Sequence, residues 1–448
     1  MLINILRGAF ERAREPQGET LPSGAASPFP GAKERSVVVV CFGMSRSDPF
    51  KNVAKMLADI YSSLGLHCYV FDMLNATWPN LPLEALFREN QVRYGVGWGG
   101  IGADAEVNVE GRPYNAWLLT GTPFFKMIGD HPAYFLDVNH SPSALLVNVY
   151  GFAEHRDFYS RHMQTQAYGA VVPLQPIDPL EPSQLDFKAK ESGKIVFLKN
   201  GNDPEALRRN WHARLPASVA RILMEMSEDL LSTLASERTW RIEELVVSHF
   251  ADLGVNVADR VKFLAFYIAQ LDDYLRRIKS NMIAESLLDF PIEVHGECWE
   301  HLDFAGRKAT LVPFGDYARS KQLIADGLCV LDMAPNTHSV PHERFMRCAS
   351  RYTLCLTNRI DFLEQTFAPF GQPLFDFTPD SIRESVSAVL DDPARHVEIG
   401  RAVGVEFARL YSPTAIVDFF EMMADQILVQ EGEDPQIQPF LVWPPKRL

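Results

Sequence analysis

The chain has 448 residues, too many for one compact core, so we expect two α/β domains of ordinary size. Its composition is 47% hydrophobic and 22% charged, with seven Trp and 29 Phe, which excludes a largely disordered protein. A formal net charge of -14 argues against a general affinity for nucleic-acid backbones, although it leaves local basic pockets open.

The cysteine and hydropathy patterns indicate in which cellular compartment the protein is expected. Six cysteines are scattered without C-x-x-C spacing, and we interpret them as reduced core residues. No apolar stretch approaches the roughly 20 residues of a membrane span, and the first residues lack both a cleavage site and a long apolar core. The sequence therefore predicts a cytoplasmic protein. Residues 2–14 have the spacing of a short amphipathic helix. This segment is expected to be frayed or packed on its own domain, or to contact a partner or the inner face of the membrane peripherally.

The first domain is expected over residues 36–185, after a flexible N-terminal lead-in over residues 1–35 that is rich in Pro, Gly and Ser. Continuous apolar runs, separated by a segment with helical spacing, indicate parallel strands covered by helices on both faces. The predicted strands are Ser36–Phe42, His67–Phe71, Val92–Trp98, Phe124–Ile128, Leu145–Val149 and Ala170–Leu174, with a helix at Asn52–Leu64.

The second domain is expected over residues 186–430, beyond a Pro-rich linker at 173–182 and before a C-terminal tail over residues 431–448. A helical insertion over residues 204–290 begins at Pro204, which follows Asp203 as a first helical residue follows its N-cap. The predicted strands are Lys194–Leu198, Ile292–His295, Ala309–Val312, Cys329–Met333 and Tyr352–Leu356, and the closing helices are Pro379–Leu390, Pro393–Leu410 and residues 413–429. The fold class predicted is thus α/β, with two Rossmann-like doubly wound domains.

Ligands of doubly wound sheets bind beyond the carboxyl ends of the strands, so the residues after each strand are the candidates for function. A glycine there lets a backbone N–H approach a phosphate closely. Such turns follow several predicted strands: Gly99-Gly100-Ile101-Gly102, Gly129-Asp130-His131-Pro132, Lys199-Asn200-Gly201, His295-Gly296-Glu297 and Ala334-Pro335-Asn336-Thr337-His338. The dinucleotide fingerprint needs a glycine-rich turn after the first strand, where Gly43 is alone, which argues against a nicotinamide dehydrogenase.

The order of the C-terminal motifs resembles the C-terminal domain of group 1-like glycosyltransferases related to spore maturation proteins. The similar segments are Asp273–Arg277, Ile292–Gly296, Val312–Tyr317, Val330–Pro335, His342–Arg344 and Asp391–Pro393, and, more loosely, Asp130–Pro132. The resemblance covers about 130 residues well and the first half faintly. It implies a GT-B-like fold, in which the two domains face a cleft and the second binds a nucleotide-sugar donor.

The resemblance and the strand ends together indicate the site residues. The donor side is expected to comprise Lys199, Asn200, Gly201, Gly296, Glu297, Phe314, Gly315, Tyr317, Pro335, His338, His342, Glu343, Arg344 and Arg347, and the acceptor side Gly99, Gly100 and Gly102. Arginine suits bidentate contact with phosphate, and Arg344 and Arg347 lie three apart on one helical face, so together they would hold a diphosphate, unless one of them is a surface residue.

Asp130 or His131 is the candidate catalytic base, because the acceptor of GT-B enzymes is bound mainly by the first domain. The alternative is that this Asp-His-Pro segment only fixes a turn or caps a helix. Trp299 and Tyr317 would stack on a base or sugar, or pack between layers. The spacing of the histidines fits no zinc motif and no carboxylate cluster accompanies them, so no metal and no other cofactor is expected.

One departure from the resembled family concerns the donor ribose. Family members place a Glu about three residues after the Arg of the His342–Arg344 segment, followed five residues later by a Gly, whereas this chain has Arg347 and Tyr352. Either Glu343 or another group contacts the ribose, or the donor differs, or the site has decayed. The sequence thus predicts a metal-independent glycosyltransferase acting on a saccharide, lipid-linked glycan or protein; the alternatives are a catalytically silent binding module and a sugar-nucleotide epimerase.

Overall fold

The computed structural model describes residues 36–43, 49–73, 85–87, 90–109, 111–141, 143–163, 169–172, 178–234, 241–313 and 315–430. The lead-in, the candidate helix at residues 2–14, the C-terminal tail, the first part of the predicted linker and Phe314 lie outside these ranges. No helix among the described residues is long and apolar enough to cross a membrane.

The first domain is built on a six-stranded parallel sheet of order β2-β1-β3-β6-β7-β8. Its strands are β1 Ser36–Phe42, β2 His67–Asp72, β3 Gln91–Trp98, β6 Phe124–Ile128, β7 Leu146–Tyr150 and β8 Gly169–Val171, and a small antiparallel hairpin adds β4 Glu106–Val109 and β5 Arg112–Asn115. Its helices are α1 Pro49–Ser63, α2 Ala116–Thr120, α3 Leu136–Asn139 and α4 Ala153–His162. Every residue of β6 and β7 is buried, which explains their unbroken apolar patterns.

The second domain has a six-stranded parallel sheet of order β11-β10-β9-β12-β13-β14, the strand order of a Rossmann fold. The strands are β9 Ile195–Leu198, β10 Ile292–His295, β11 Thr310–Val312, β12 Cys329–Leu331, β13 Leu354–Asn358 and β14 Leu374–Phe375. Helices α5 Phe187–Lys190, α10 Tyr317–Asp326, α11 Glu343–Ala349, α12 Asp361–Phe367, α13 Pro379–Asp391 and α14 Pro393–Leu410 surround the sheet. The fold class of two Rossmann-like domains is confirmed.

Strand β13 begins two residues later than predicted. Tyr352 has φ 53°, a left-handed conformation that glycine adopts most readily, and it belongs to the turn after α11. This is the position at which the resembled family carries a glycine. The backbone conformation that calls for glycine is therefore present here although the residue is Tyr.

The insertion between β9 and β10 consists of α6 Pro204–Arg214, α7 Ala217–Thr233, α8 Ile242–Asp252 and α9 Val261–Ser286. Its described part, which omits residues 235–240, contains no strand, as the sequence predicted. Helix α9 buries Leu264, Ile268, Leu271 and Leu275, whose spacing of three and four residues forms one apolar face. That face belongs to the same core as β9 and β10, so α9 is fixed to the second sheet.

The last helix, α15 Ala415–Gln430, packs on the first domain although its residues were assigned to the second. Its Phe419 and Phe420 join the core formed by β1, β3 and β6. The Phe420 ring stacks on Phe125 with centroids 5.0 Å apart. The chain therefore passes between the domains twice.

Candidate active site

The second sheet reverses its strand order between β9 and β12, because the chain runs outward in opposite directions from these two neighbours. In such sheets the ligand binds in the crevice at the carboxyl ends of the two strands. Lys199 follows β9 there, and Asp332 follows β12. The site is thus built around one lysine and one aspartate held by adjacent strands.

Asp332 is completely buried, and its carboxylate contacts two basic residues at the start of α11. One of its carboxylate oxygens pairs with the Arg344 guanidinium, and Oδ2 lies 3.2 Å from His342 Nδ1. Burial alone would raise the pKa of Asp332, but the charges of His342 and Arg344 hold it well below its usual range. Asp332 is not evident from the sequence as a site residue, because it lies in the apolar run Cys329–Met333.

The side-chain ammonium of Lys199 has no partner among the described residues, because none of them forms a hydrogen bond or an ion pair with it. Burial, together with the positive charges of Arg344 and Arg276, lowers the pKa of Lys199 to about 8, although the carboxylates of Asp332 and Asp130 oppose this shift. Its backbone is fixed, since the Trp299 indole donates to the Lys199 carbonyl at 2.9 Å. A negatively charged group placed here would stabilise the ammonium.

Helix α9 supplies Arg276, a site residue to which the sequence analysis gave no role. Its Nε lies 2.8 Å from Asp272 of the same helix, and its Nη1 lies 3.6 Å from Asp130 of the first domain. Asp272 also accepts hydrogen bonds from Tyr134 at 2.8 Å and from Asn336 at 2.6 Å. One buried carboxylate therefore holds Arg276 in place and joins the turn after β6 to the loop after β12.

A cavity of about 250 Å³ lies between the domains at the carboxyl ends of both sheets. Asp130 lines it and leaves 58% of its side chain exposed, and Arg276 faces it from α9. The second domain contributes Pro335, His342 and Glu343, all of them predicted donor residues. The cavity therefore brings the candidate base and part of the predicted donor side together.

His131, the other candidate base, lies behind the turn and does not line this cavity. Its Nδ1 accepts a hydrogen bond of 3.1 Å from the Ala133 N–H, which begins the short 3-10 helix Pro132–Tyr134. Burial lowers the pKa of His131 to about 4, so the ring is neutral near pH 7. Its ring packs against His155 and Phe158, with centroids 5.0 and 4.8 Å away. These contacts are the ones expected if the Asp130-His131-Pro132 segment caps a helix and His131 has no catalytic role.

The predicted glycines of the second domain act through close packing. A Cβ on Gly201 would lie 2.1 Å from the Trp299 ring, and one on Gly296 would lie 2.1 Å from the Lys199 carbonyl oxygen. Asn200 and Glu297 link the two turns, since Asn200 Oδ1 accepts from the Glu297 N–H at 3.0 Å. A Cβ on Gly315 would meet the Arg319 side chain at 2.9 Å. These contacts bring the turns after β9 and β10 together beneath Lys199, and Trp299 packs inside rather than facing a ligand.

Arg347 makes its close contacts away from Asp332, the partner of Arg344, and its Nη1 lies 3.9 Å from Glu343. Its Nη2 donates to Ser320 at 2.6 Å, and its guanidinium carbon lies 4.6 Å from the centroid of the Tyr317 ring. Arg344 instead pairs with Asp332. The two arginines expected to hold one diphosphate thus face different elements, and Tyr317 stacks on Arg347.

His338 belongs to a contact between the domains that we call the latch, formed by Glu154, His338 and Ser339. Glu154, in the first turn of α4, accepts hydrogen bonds from the backbone N–H of His338 at 2.7 Å and of Ser339 at 2.9 Å, and a third from the Ser339 hydroxyl. His338 Nδ1 lies 2.9 Å from the same carboxylate. The latch holds the loop after β12 against the first domain.

The three predicted acceptor-side glycines shape the turn after β3. Gly102 has φ 89°, and a Cβ there would lie 2.6 Å from Cys41 Sγ, so the turn depends on glycine at this position. Gly100 lines a second cavity of about 1060 Å³, which the first domain forms with the start of α9. Gly99 lines neither of the two cavities. Within the described residues, no group of three His, Cys, Asp or Glu side chains lies close enough to hold a metal.

No family model matches the sequence, and neither does any curated protein. Among solved structures, the chain is similar to sucrose-phosphate synthase from Thermosynechococcus elongatus, at 8% identity and a TM-score of 0.49, over 88% of this chain and 99% of that one. It is also similar to Anabaena HepE in complex with UDP-glucose, at 8% identity and a TM-score of 0.44, with 88% and 99% covered. For MurG of Acinetobacter baumannii the identity is 10% and the TM-score 0.34, with 88% and 100% covered.

Proposed function

We propose that the chain is a GT-B-type glycosyltransferase that moves a sugar from a nucleoside diphosphate sugar to a hydroxyl acceptor, without a metal ion. The observation that supports this most directly is the Lys199 ammonium, which pairs with none of the described residues and lies where the second sheet reverses its order. Arg344 and Arg276 lie close enough to lower its pKa. Three cations so placed suit a diphosphate, whose negative charge grows as the sugar departs.

In the proposed reaction, residues of the second domain bind the leaving diphosphate and a residue of the first domain acts as the base. Lys199 and Arg344 would stabilise the leaving diphosphate, and Arg276, anchored by Asp272, would lie between it and the acceptor. Asp130 would accept the proton of the acceptor hydroxyl, because its carboxylate is exposed in the cavity while His131 is engaged in its cap. The new bond forms between the acceptor oxygen and the sugar carbon as the bond to the diphosphate breaks.

The size of the cavity has a consequence for donor binding. At about 250 Å³ it is smaller than the roughly 300–1,000 Å³ of typical small-molecule sites. A nucleotide sugar would therefore require the cleft to widen, and the latch opposes that motion because it joins the two domains at the edge of the cleft.

Thermal-shift screening with UDP-, GDP-, CMP- and dTDP-sugars tests the proposed donor class. One of them is expected to stabilise the wild-type chain, by about 2.7 kcal/mol at a concentration 100 times its Kd. The Lys199→Ala variant should lose most of this shift. Lys194→Ala is the matched control, because Lys194 precedes the same strand at its opposite end and is 67% exposed. Absence of any shift in the wild-type chain would contradict the proposal.

Release of free nucleotide from the stabilising donor tests catalysis. Asp130→Ala is expected to lower turnover by about 10²–10⁴-fold, the usual contribution of general base catalysis, with donor binding retained. Asp137→Ala, a change of an exposed carboxylate in the same region, should leave turnover near the wild-type rate. Undiminished release by Asp130→Ala would remove Asp130 as the base.

A catalytically silent nucleotide-binding module is a second candidate, favoured by the contacts of Arg347. This residue stands where the resembled family has its ribose-binding Glu, and it is committed to Ser320 and Tyr317. The module would show a thermal shift with a nucleotide sugar and no nucleotide release with any acceptor.

A further inference from the structure

His342 is the N-cap residue of α11, but its side chain does not cap the helix. The ring makes no hydrogen bond to a backbone N–H of the first turn. It turns instead to the residue after strand β12, so that Nδ1 lies 3.2 Å from Asp332 Oδ2. The usual capping side chains are those of Asn, Asp, Ser and Thr. Helix capping therefore does not explain the histidine at this position.

The contact with Asp332 determines which nitrogen of the His342 ring carries the proton. Asp332 is completely buried, and the charges of His342 and Arg344 hold its pKa well below the usual range, so the carboxylate is ionised and only accepts hydrogen bonds. The proton between the two groups therefore belongs to Nδ1. Among the residues that the structure describes, none forms a hydrogen bond or ion pair with Nε2. This nitrogen is left for a ligand in the 250 Å³ cavity that His342 lines.

The charged groups around His342 place it on the side of the cleft proposed to bind phosphate. These groups come from both domains and are Lys199 after β9, Asp332 after β12, Glu343 and Arg344 of α11, Arg276 of α9 and Asp130 after β6. His342 and Arg344 contact different oxygens of the same Asp332 carboxylate. Arg344 is in turn close enough to Lys199 to lower its pKa. Because these four residues all belong to the second domain, widening of the cleft leaves their arrangement intact.

We infer that His342 is the general acid of the proposed transfer and donates a proton from Nε2 to the departing diphosphate. This inference rests on the proposed function. The protonated ring donates from both nitrogens, to Asp332 from Nδ1 and to a phosphate oxygen from Nε2. The pairing of Nδ1 with a buried carboxylate orients the ring for this transfer.

The proton transfers on the two sides of the cleft balance. The bond between the sugar carbon and the diphosphate oxygen breaks with its electron pair on that oxygen, which takes the proton of His342 Nε2. The acceptor oxygen forms the new bond to the sugar carbon and gives its proton to Asp130. The reaction leaves His342 neutral and Asp130 protonated, and proton exchange with water restores both groups.

Replacement of His342 by Asn and by Gln separates proton transfer from hydrogen bonding. Asn keeps a donor near the position of Nδ1 and is a preferred N-cap residue, so His342→Asn should fold and keep Asp332 paired. Gln places its amide near the position of Nε2, but the amide has no proton to transfer. Both variants should bind the stabilising nucleotide sugar within about threefold of the wild-type Kd and release nucleotide about 10²-fold more slowly. His212→Gln, which changes an exposed histidine of α6, is the control and should match the wild-type rate.

The pH profile of kcat identifies the step in which His342 acts. A general base causes the fall in kcat on the acid side of the profile, and a general acid causes the fall on the alkaline side. In His342→Asn the alkaline fall is expected to disappear and the acid fall to remain. Imidazole added to His342→Ala should raise kcat about tenfold and restore the alkaline fall. A residue with only a structural role would produce neither effect.

The outcomes distinguish failure of this inference from failure of the proposed function. Wild-type turnover by His342→Gln, or an alkaline fall that persists in His342→Asn, overturns the acid role while nucleotide release by the wild type still supports the transferase. Loss of the acid fall instead would make His342 the base and would also overturn the inference. If His342→Asn does not fold, the pH profile of His342→Gln decides. A wild-type chain that no nucleotide sugar stabilises refutes the proposed function itself.

Discussion

The latch can be tested by removing the charge of Glu154. Burial opposes ionisation of this carboxylate, but the hydrogen bonds from His338 and Ser339 lower its pKa from 4.5 to about 2. At 1.36 kcal/mol for each pH unit, this difference corresponds to about 3 kcal/mol in favour of the closed, folded chain. Its side chain is 23% exposed, so solvent screening removes little of that energy. Glu154→Gln is therefore expected to lower the free energy of unfolding near pH 6 by about 3 kcal/mol.

The stabilisation by the latch is expected to depend on pH, and the direction of this dependence follows from the two pKa shifts. The contribution of Glu154 should be complete above about pH 4.5 and should disappear as the pH falls towards 2, because the folded pKa is depressed. The hydrogen bond to Glu154 raises the pKa of His338 above 6.5, so the contribution of His338 is present below that pH and is lost as the pH rises through the raised pKa. The latch should be strongest between about pH 4.5 and 6.5.

Urea unfolding at a series of pH values measures the difference between wild type and Glu154→Gln. Small-angle X-ray scattering on the same samples should show a larger radius of gyration for the variant, because the cleft opens. The matched control is Glu398→Gln, which changes a carboxylate that is 64% exposed and pairs with Arg401, and should alter stability by less than about 0.5 kcal/mol. A deficit for Glu154→Gln that is below about 1 kcal/mol at pH 6, or equal at pH 3 and pH 6, would refute the reasoning.

Three further changes probe the packing of the site. Gly201→Ala places a Cβ against the Trp299 ring, so we expect a loss of about 1–3 kcal/mol in urea and a shifted tryptophan emission; wild-type stability would contradict the packing role. Asp332→Asn leaves Arg344 buried without its partner, with an expected loss of about 3–5 kcal/mol that a combined Arg344→Met change should partly recover. Phe420→Ala should cost about 3–5 kcal/mol in thermal or urea unfolding, and a cost below 1 kcal/mol would mean that α15 does not complete the first-domain core.

The strands of both sheets were predictable because they are short apolar runs followed by turns rich in glycine and polar residues. Ile292–His295 and Phe124–Ile128 have the bounds that the sequence predicts. The two-residue strand β14 and the hairpin β4–β5 were not predicted, because neither has an apolar run long enough to mark it. Local periodicity in the sequence thus predicts the main strands of both sheets, but it does not predict the short strand β14 or the β4–β5 hairpin.

The site was predicted less completely, and most of the residues that were missed lie on helices. Asp272, Arg276 and Glu154 lie on helices whose sequences look like ordinary amphipathic or charged segments, and only the packing of α9 and α4 brings them to the cleft. Asp332 was missed for a different reason, because the predicted strand extended to Met333 whereas β12 ends at Leu331 and Asp332 follows it. A residue after a strand can be found from the sequence; one on a long insertion requires knowledge of where the insertion packs.

The passage of α15 onto the first domain affects how the chain can be divided and how it can move. A fragment ending at residue 185 would expose the sheet face that Phe420 covers and would lose the partner of Arg93, since Glu421 lies 2.6 Å from that guanidinium. We therefore expect the isolated first domain to fold only when residues 413–430 are supplied, in trans or by circular permutation. In the whole chain, two covalent connections restrict any opening to rotation about an axis through both of them.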